Sequence, residues 1–171
     1  ETGEGSSQAV GALVDIEPFD SSTQQLLAGL AYIDLRVRWA VARARAHGLD
    51  PSDEFRGLYI SESQIDNLLG YELGHNLWPS PNGQPTGLEE WPLVMNHARE
   101  LWQARTEASA DSQLLLSRLV EVFDLSAVAV DILLLALAPE IDPRYERLFA
   151  YLQDDVTKRR PSVDLVLNLL T

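Results

Sequence analysis

The sequence predicts an all-α protein, a bundle of about six to eight helices with one long loop that is rich in glycine and proline. Apolar residues recur at steps of three and four in most segments, which is the spacing of one face of a helix. Serine, aspartate, glycine and proline separate these segments at positions where helices begin and end. We interpret residues 1–20 as a mobile N-terminal segment, with residues 1–3 as a cloning remnant, and residues 21–171 as a single helical domain.

The first long helix is predicted from Ser21 or Ser22 to about Ala46, because a serine cap precedes the apolar pattern and Gly48 follows it. Six apolar residues recur along this helix in alternating steps of four and three. We call them the heptad seam: Leu26, Leu30, Ile33, Val37, Ala40 and Ala44. Packing of this seam within the domain is favoured over pairing with a second chain, since helical bundles use the same spacing.

The middle of the chain is predicted to contain shorter helices on either side of the long loop. Ser61 and Gln64 fit a capping box at the start of a helix that ends near Gly70. The loop follows over residues 71–87, where glycine and proline are frequent. The next helix begins within residues 88–91, ends near Ala108 and carries His97 on its apolar face, which is typical of a hydrogen-bonded core histidine. A further helix is predicted over residues 114–123.

Three more helix starts follow in the C-terminal third. Ser126 is placed to cap an apolar run over residues 127–138. This run is too short to span a membrane and apolar on nearly every face, so it is predicted to be the central core helix. The next helix opens at Asp142, with Arg144 off its apolar face, and Ser162 caps the last one.

Four short motifs lie within the last three of these helices and the turns between them. They read APEID over residues 138–142, RYERL over 144–148, YLQDDVT over 151–157 and RRPSVD over 159–164. This stretch resembles a segment near the N-terminus of a family of bacterial and archaeal AAA-type ATPases, including those found with phage-tail-like contractile injection systems. The residues that carry the resemblance are Pro139, Glu140, Asp142, Arg144, Tyr145, Glu146, Arg147, Tyr151, Gln153, Asp154, Asp155, Arg159, Arg160, Pro161 and Asp164.

The resemblance implies a non-catalytic N-terminal domain of an AAA-type ATPase, which binds protein partners or helps to assemble the motor, and which precedes a winged-helix segment and an ATPase module. The chain itself is not expected to be an enzyme. A nucleotide-binding P-loop ends in Gly-Lys-Ser or Gly-Lys-Thr, and the only lysine, Lys158, follows Thr157. ATP and magnesium are therefore expected only for the ATPase module. The expected partners are other proteins or that module, with oligomerisation through the ring of the parent protein.

The composition narrows the range of partners. The formal net charge is −13, which argues against binding to nucleic acid or to an anionic membrane, since both reward clustered lysine and arginine. Cysteine is absent, which excludes disulfides and thiolate metal sites. The apolar runs are shorter than a membrane-spanning helix requires. A soluble, cytoplasmic protein is predicted.

The candidate partner-binding residues are four arginines on the flanks of the heptad seam and two tryptophans at the long loop. They are Arg36, Arg38, Arg43, Arg45, Trp78 and Trp91. A guanidinium group suits an acidic partner surface because its planar fork can bind a carboxylate through two hydrogen bonds. The alternative is that the arginines pair with carboxylates of the domain and the tryptophans anchor the loop.

Three functions of other classes are left open by the sequence. The first is a regulatory or small-ligand-binding domain with a pocket under residues 71–91. The second is a metalloenzyme bundle, because Glu72 and His75 have the spacing of a helical di-iron ligand pair, although they lie in a loop. The third is a helix-turn-helix domain that binds DNA, against which the net charge argues.

Overall fold

The computed structural model describes residues 16–46, 60–70 and 87–170, and these ranges contain seven α-helices and no β-strand. The predicted all-α bundle is confirmed. The helices are α1 (Ser22–Ala46), α2 (Glu62–Gly70), α3 (Trp91–Ala108), α4 (Leu115–Phe123), α5 (Ala127–Ile141), α6 (Arg144–Leu152) and α7 (Val163–Leu170). The predictions for Glu72, His75, Trp78 and a pocket under the long loop lie outside the described residues.

Helix α1 lies at the centre of the bundle. It packs against α3, α4, α5, α6 and α7. Side chains on several sides of its middle turns are fully buried, among them Leu30, Tyr32 and Ile33. The heptad seam is buried in its middle and half-buried at its two ends, so it faces other helices of the same domain.

Helix α5 was predicted to be the central core helix, and this prediction is wrong. Its buried residues include Leu134 and Leu135, but Val128 is 55% exposed and Ile132 is 43% exposed. A helix that is apolar on all faces is usually buried on all sides, but this one leaves part of its apolar surface exposed. The helix also continues to Ile141, because Pro139 in its last turn removes one backbone hydrogen bond without ending the helix.

The predicted helix starts are confirmed by side-chain caps. The hydroxyl groups of Ser21, Ser126 and Ser162 each accept a hydrogen bond from the backbone N–H three residues later, at 3.2 to 3.3 Å. Ser61 and Gln64 form the predicted capping box, in which each side chain accepts from the backbone N–H of the other at 3.3 Å. These signals are local in sequence, and they position the helix starts without reference to the rest of the fold.

The buried face of α3 differs from the predicted one. Met95, Ala98 and Trp102 are buried, whereas His97 is exposed and Leu93 is 75% exposed. The interpretation of His97 as a core histidine was therefore wrong. Trp102 was predicted on or near the same face as Leu93 and His97 and is buried, so packing against α1 covers only one edge of the predicted face.

The end of the N-terminal segment contacts α3. Phe19 is 2% exposed, and its backbone N–H donates to the Ser109 hydroxyl at 2.7 Å. The Arg105 guanidinium lies 4.3 Å from the centre of the Phe19 ring. Residues 16–20 thus lead into α1 along this face, and residues 1–15 are outside the described part. The division into a mobile segment and one domain stays a prediction.

A close approach between helices occurs at Gly29 of α1. A Cβ atom at this position would lie 3.1 Å from Leu134 Cδ1 and 3.2 Å from Trp102 Nε1. Gly70, at the end of α2, has no such neighbour within 4 Å. Both substitutions to alanine gain helix propensity, so the difference between them isolates the contact. We expect Gly29→Ala to be less stable than Gly70→Ala by about 1 to 3 kcal/mol, measured by urea denaturation. Equal stabilities would show that Leu134 and Trp102 can move aside.

Candidate functional site

A buried cluster of charged and polar groups joins α1 to α6. The Asp34 carboxylate accepts hydrogen bonds from Arg144 Nη2 at 3.0 Å, from the Tyr145 hydroxyl at 2.8 Å and from Arg38 Nε at 2.6 Å. Arg144 Nε lies 2.7 Å from Asp142 Oδ2, as an ion pair. We call this the Asp34 cluster. Asp34 and Arg144 are at most 7% exposed, so the cluster is nearly closed to solvent.

Burial raises the pKa of Tyr145 well above its ordinary value of 10.0, and the nearby Asp34 carboxylate raises it further. Tyr145 therefore stays protonated and acts as a hydrogen-bond donor. It is not available as a general base at neutral pH. The cluster holds the helices together and offers neither a nucleophile nor an open position for a substrate.

A second buried cluster, the Asp131 cluster, joins α1, α3 and α5. Asp131 is 3% exposed, and one carboxylate oxygen lies 3.0 Å from Arg99 Nη2. The Asp131 carboxylate also interacts electrostatically with the Tyr32 hydroxyl. Arg36 donates to the Tyr32 hydroxyl at 2.5 Å and to the Leu169 carbonyl at 2.7 Å. The single polar residue in the apolar run of α5 is thus a buried, paired group.

The Asp131 cluster predicts a pH dependence of stability. Burial raises the pKa of Asp131 above 3.8, although Arg99 and Arg36 oppose the change. A carboxyl group whose pKa is raised on folding stabilises the fold below its unfolded pKa and loses this contribution as the pH rises through its folded pKa. We therefore expect Asp131→Asn to lose less stability than the wild type as the pH rises from about 3.8 towards neutrality.

Urea denaturation at a series of pH values checks this expectation. The readout is the slope of the free energy of unfolding against pH, which is separate from any constant loss caused by leaving Arg99 without Asp131. Asp66→Asn is the matched control, because the side chain of Asp66 is 65% exposed. Identical slopes for Asp131→Asn and the wild type would contradict the assignment.

The arginines that were predicted to bind a partner contact groups of the domain itself. Arg36 and Arg38 belong to the two buried clusters, and Arg38 also donates to the Leu69 carbonyl at 2.6 Å. Arg43 lies 4.5 Å from the centre of the Trp39 ring. Arg45 pairs with Glu62 and Asp66 of α2 at 2.8 and 2.9 Å. Of the two tryptophans, Trp91 is 9% exposed at the start of α3. Partner binding through these residues stays a prediction.

Several motif residues of the C-terminal third hold its turns together. Glu140 forms an ion pair with Arg160, and Glu146 lies 3.8 Å from Arg159. The Gln153 amide nitrogen donates to the carbonyls of Phe149, Lys158 and Arg160 at 3.0 to 3.1 Å, and its oxygen accepts from the Ser162 N–H at 3.2 Å. Gln153 thus clamps the turn between α6 and α7.

Other motif residues make local or long-range contacts. Asp155 accepts from the hydroxyl and the backbone N–H of Thr157, and these bonds lower its pKa. Tyr151 donates to Glu62 at 2.9 Å. Arg144 was predicted to lie off the apolar face of α6, and this is wrong: it is buried because Asp34, far away in sequence, supplies its counter-charge.

Exposed apolar side chains lie on both α4 and α5, which are joined by a three-residue turn with Asp124 in the left-handed region at φ 48°. We call this set of side chains the α4–α5 apolar surface. Its members are between 43% and 70% exposed. They are Leu115, Val122, Phe123, Val128 and Ile132. Helix, short turn and helix is the order of elements in a helix-turn-helix unit.

The described ranges offer neither a metal site nor a membrane-spanning helix. No group of three or more histidine, aspartate or glutamate residues there is placed to hold a metal ion. No described helix combines the length and the apolarity that crossing a membrane requires.

The described fold is therefore an all-helical domain that contains a helix-turn-helix unit and two buried charge clusters. The family model of the winged helix domain, variant, matches residues 8–171, and the chain belongs to this family. Such a domain is of the helical regulatory or DNA-binding type. The comparisons with curated proteins and with solved structures give no match.

This family assignment corrects the interpretation of the C-terminal motifs. The chain is a winged helix domain variant, and the resemblance to the N-terminal domain of an AAA-type ATPase is overturned by the match over residues 8–171. The motif residues have a local physical explanation in this fold, since Glu140, Glu146 and Gln153 secure the ends of α5, α6 and α7. Residues that stabilise helix ends do not by themselves identify the chain as part of an AAA-type ATPase.

Proposed function

We propose that this winged helix domain is a non-catalytic regulatory domain that binds another protein through the α4–α5 apolar surface. The observation that carries the proposal is the chemistry of α5, the second helix of the helix-turn-helix unit. In DNA-binding proteins this helix enters the major groove and reads bases with arginine, lysine, asparagine or glutamine. Helix α5 contains none of these four residue types. Its exposed side carries Val128 and Ile132 instead.

Exposed apolar side chains of this size favour a protein partner. Phe123 is 66% exposed and Val122 is 68% exposed, although aromatic and branched apolar residues are usually buried. Contiguous apolar surface on a folded domain is typical of protein interaction sites. Aromatic residues such as Phe123 are also enriched in the buried core of protein interfaces.

The charge indicates the chemistry of the partner. Glu121 and Asp124 are exposed within or beside the two helices, and the chain has a formal net charge of −13. A second copy of the chain would bring a second charge of −13 to the interface. The favoured partner is therefore a different protein that presents an apolar segment flanked by lysine or arginine, because complementary potentials speed association and suppress wrong partners.

The experiment uses two variants that introduce the same charge at exposed positions. Ile132→Asp changes the α4–α5 apolar surface, and Leu93→Asp changes an exposed leucine of α3 outside it. A partner captured with the wild type is purified, and its Kd is then measured against each variant by calorimetry. We expect Ile132→Asp to weaken binding at least about tenfold, roughly 1.4 kcal/mol, and Leu93→Asp to leave it unchanged.

Binding to DNA is the second candidate, because winged helix domains include DNA-binding domains. In addition, residues 158–160 are basic and exposed. Each of these cations is paired, Lys158 with Asp155, Arg159 with Glu146 and Arg160 with Glu140. Anisotropy with a mixed-sequence duplex between about 50 and 200 mM salt tests this candidate. Salt-dependent DNA binding that is lost on replacing residues 158–160 would overturn the proposal, as would a partner that binds the wild type and Ile132→Asp equally.

A further inference from the structure

A groove lies between α3, α4 and α5, with α1 as its floor. Its volume is about 730 Å³, which is within the range of small-molecule sites. Its walls are mainly apolar and include Trp102, Leu116, Val120, Leu125 and Val130. This groove is separate from the exposed side chains of the α4–α5 apolar surface, because those residues are not among its lining residues.

Gln25 of α1 places an amide group at the floor of the groove. The residue is fully buried and lines the groove. Its amide nitrogen donates to the Ser117 hydroxyl at 2.8 Å and lies 3.5 Å from the Thr106 hydroxyl oxygen. Its amide oxygen, Oε1, has no hydrogen-bond partner among the described protein groups.

Two neighbouring donors of Gln25, the Thr106 hydroxyl and the Trp102 indole, are already engaged with other oxygens. The Thr106 hydroxyl donates to the Trp102 carbonyl at 2.9 Å, and the Trp102 indole N–H donates to the Gln25 backbone carbonyl at 3.0 Å. These contacts fix Gln25 and Trp102 relative to each other. Buried acceptors are nearly always paired, so an open acceptor beside an apolar groove indicates a ligand that supplies the donor.

We infer that this groove binds a neutral organic ligand with an apolar, ring-sized body and one hydrogen-bond donor, and that the donor is directed at Gln25 Oε1. The apolar walls hold the body, and Trp102 provides an aromatic surface for it. A neutral ligand is favoured because the charged residues that line the groove carry both signs, and two of them, Arg99 and Asp131, already pair at 3.0 Å. An ion placed between the apolar walls would lose much of its hydration.

The test uses 2-phenylethanol and ethylbenzene, which share an aromatic body and differ in the hydroxyl donor. Both are titrated into ¹⁵N-labelled protein, and the Gln25 side-chain amide and Trp102 indole resonances are followed. We expect both probes to shift the Trp102 indole signal, and 2-phenylethanol alone to shift the Gln25 amide. We expect Gln25→Met, which keeps the side-chain length and removes the carbonyl, to lower the ratio of the affinity for 2-phenylethanol to that for ethylbenzene by about five- to tenfold.

Several outcomes would overturn the inference. They are an unchanged affinity ratio in Gln25→Met, an absence of binding up to the solubility limit of the probes, and detection of an ordered water only at Gln25. A preference for acetophenone, which accepts but does not donate, would overturn the assignment of the donor to the ligand. The wild-type spectra test the inference even if Gln25→Met fails to fold. Partner binding through Ile132 is measured separately, so the proposed function and this site can fail independently.

Discussion

Replacing Asp34 with alanine is expected to lower the free energy of unfolding by about 3 to 5 kcal/mol. The Asp34 carboxylate is the shared acceptor for Arg144, Tyr145 and Arg38 at 2.6 to 3.0 Å. Without it the guanidinium of Arg144 stays buried and loses one of its two counter-charges. Leaving a buried charge without its partner costs much more than the ion pair itself contributes.

Chemical denaturation of Asp34→Ala and Asp66→Ala measures this effect. Both substitutions remove one carboxylate that pairs with an arginine, but the side chain of Asp34 is 6% exposed and that of Asp66 is 65% exposed. An exposed ion pair contributes about 0 to 1 kcal/mol, so Asp66→Ala is expected to stay within that range. Similar losses in the two variants would contradict the role given to the buried cluster.

The same cluster shows which parts of the fold the sequence could predict. Helix starts depend on a serine or aspartate and the next few residues, and the caps at Ser21, Ser61 and Ser126 were predicted correctly. The pairing of Asp34 with Arg144 joins residues 110 positions apart. Spacing along one helix carries no information about such a contact, so Arg144 was placed off the apolar face of its helix.

The sequence also could not predict which helix lies at the centre of the bundle. Helix α5 is more apolar than α1, yet α1 is central and buries polar residues, such as Asp34 and Arg36, in paired positions. Composition alone counts these residues as surface-forming. The exposed Val128 and Ile132 of α5 produced the opposite error.

The sequence contained only weak indications of the two proposed sites, which are the α4–α5 apolar surface and the groove beside Gln25. Asp131 was recognisable as the polar exception in an apolar run, and the structure shows it buried beside Arg99. Gln25 had no signal, since a glutamine near the start of a helix is ordinary on a surface. The α4–α5 apolar surface became visible only when exposure separated Val122 and Phe123 from the buried apolar residues around them.

Replacing Phe149 with alanine is expected to lower the free energy of unfolding by about 3 to 5 kcal/mol, because the ring is fully buried in the core and its loss leaves a cavity. Phe149 packs against Tyr145 with ring centres 5.9 Å apart, so the substitution also loosens the side chain that donates to Asp34. Thermal and urea denaturation measure the loss.

Phe123→Ala is the matched control, since it removes the same side chain from a position that is 66% exposed. We expect it to change the free energy of unfolding by no more than about 0.5 kcal/mol, as surface substitutions usually do. A large loss in Phe123→Ala would mean that this ring stabilises the fold, and the α4–α5 apolar surface would then lose its aromatic anchor as evidence for a partner. A small loss together with weakened partner binding would separate recognition from stability at a single residue, because the fold does not need the ring and the partner does.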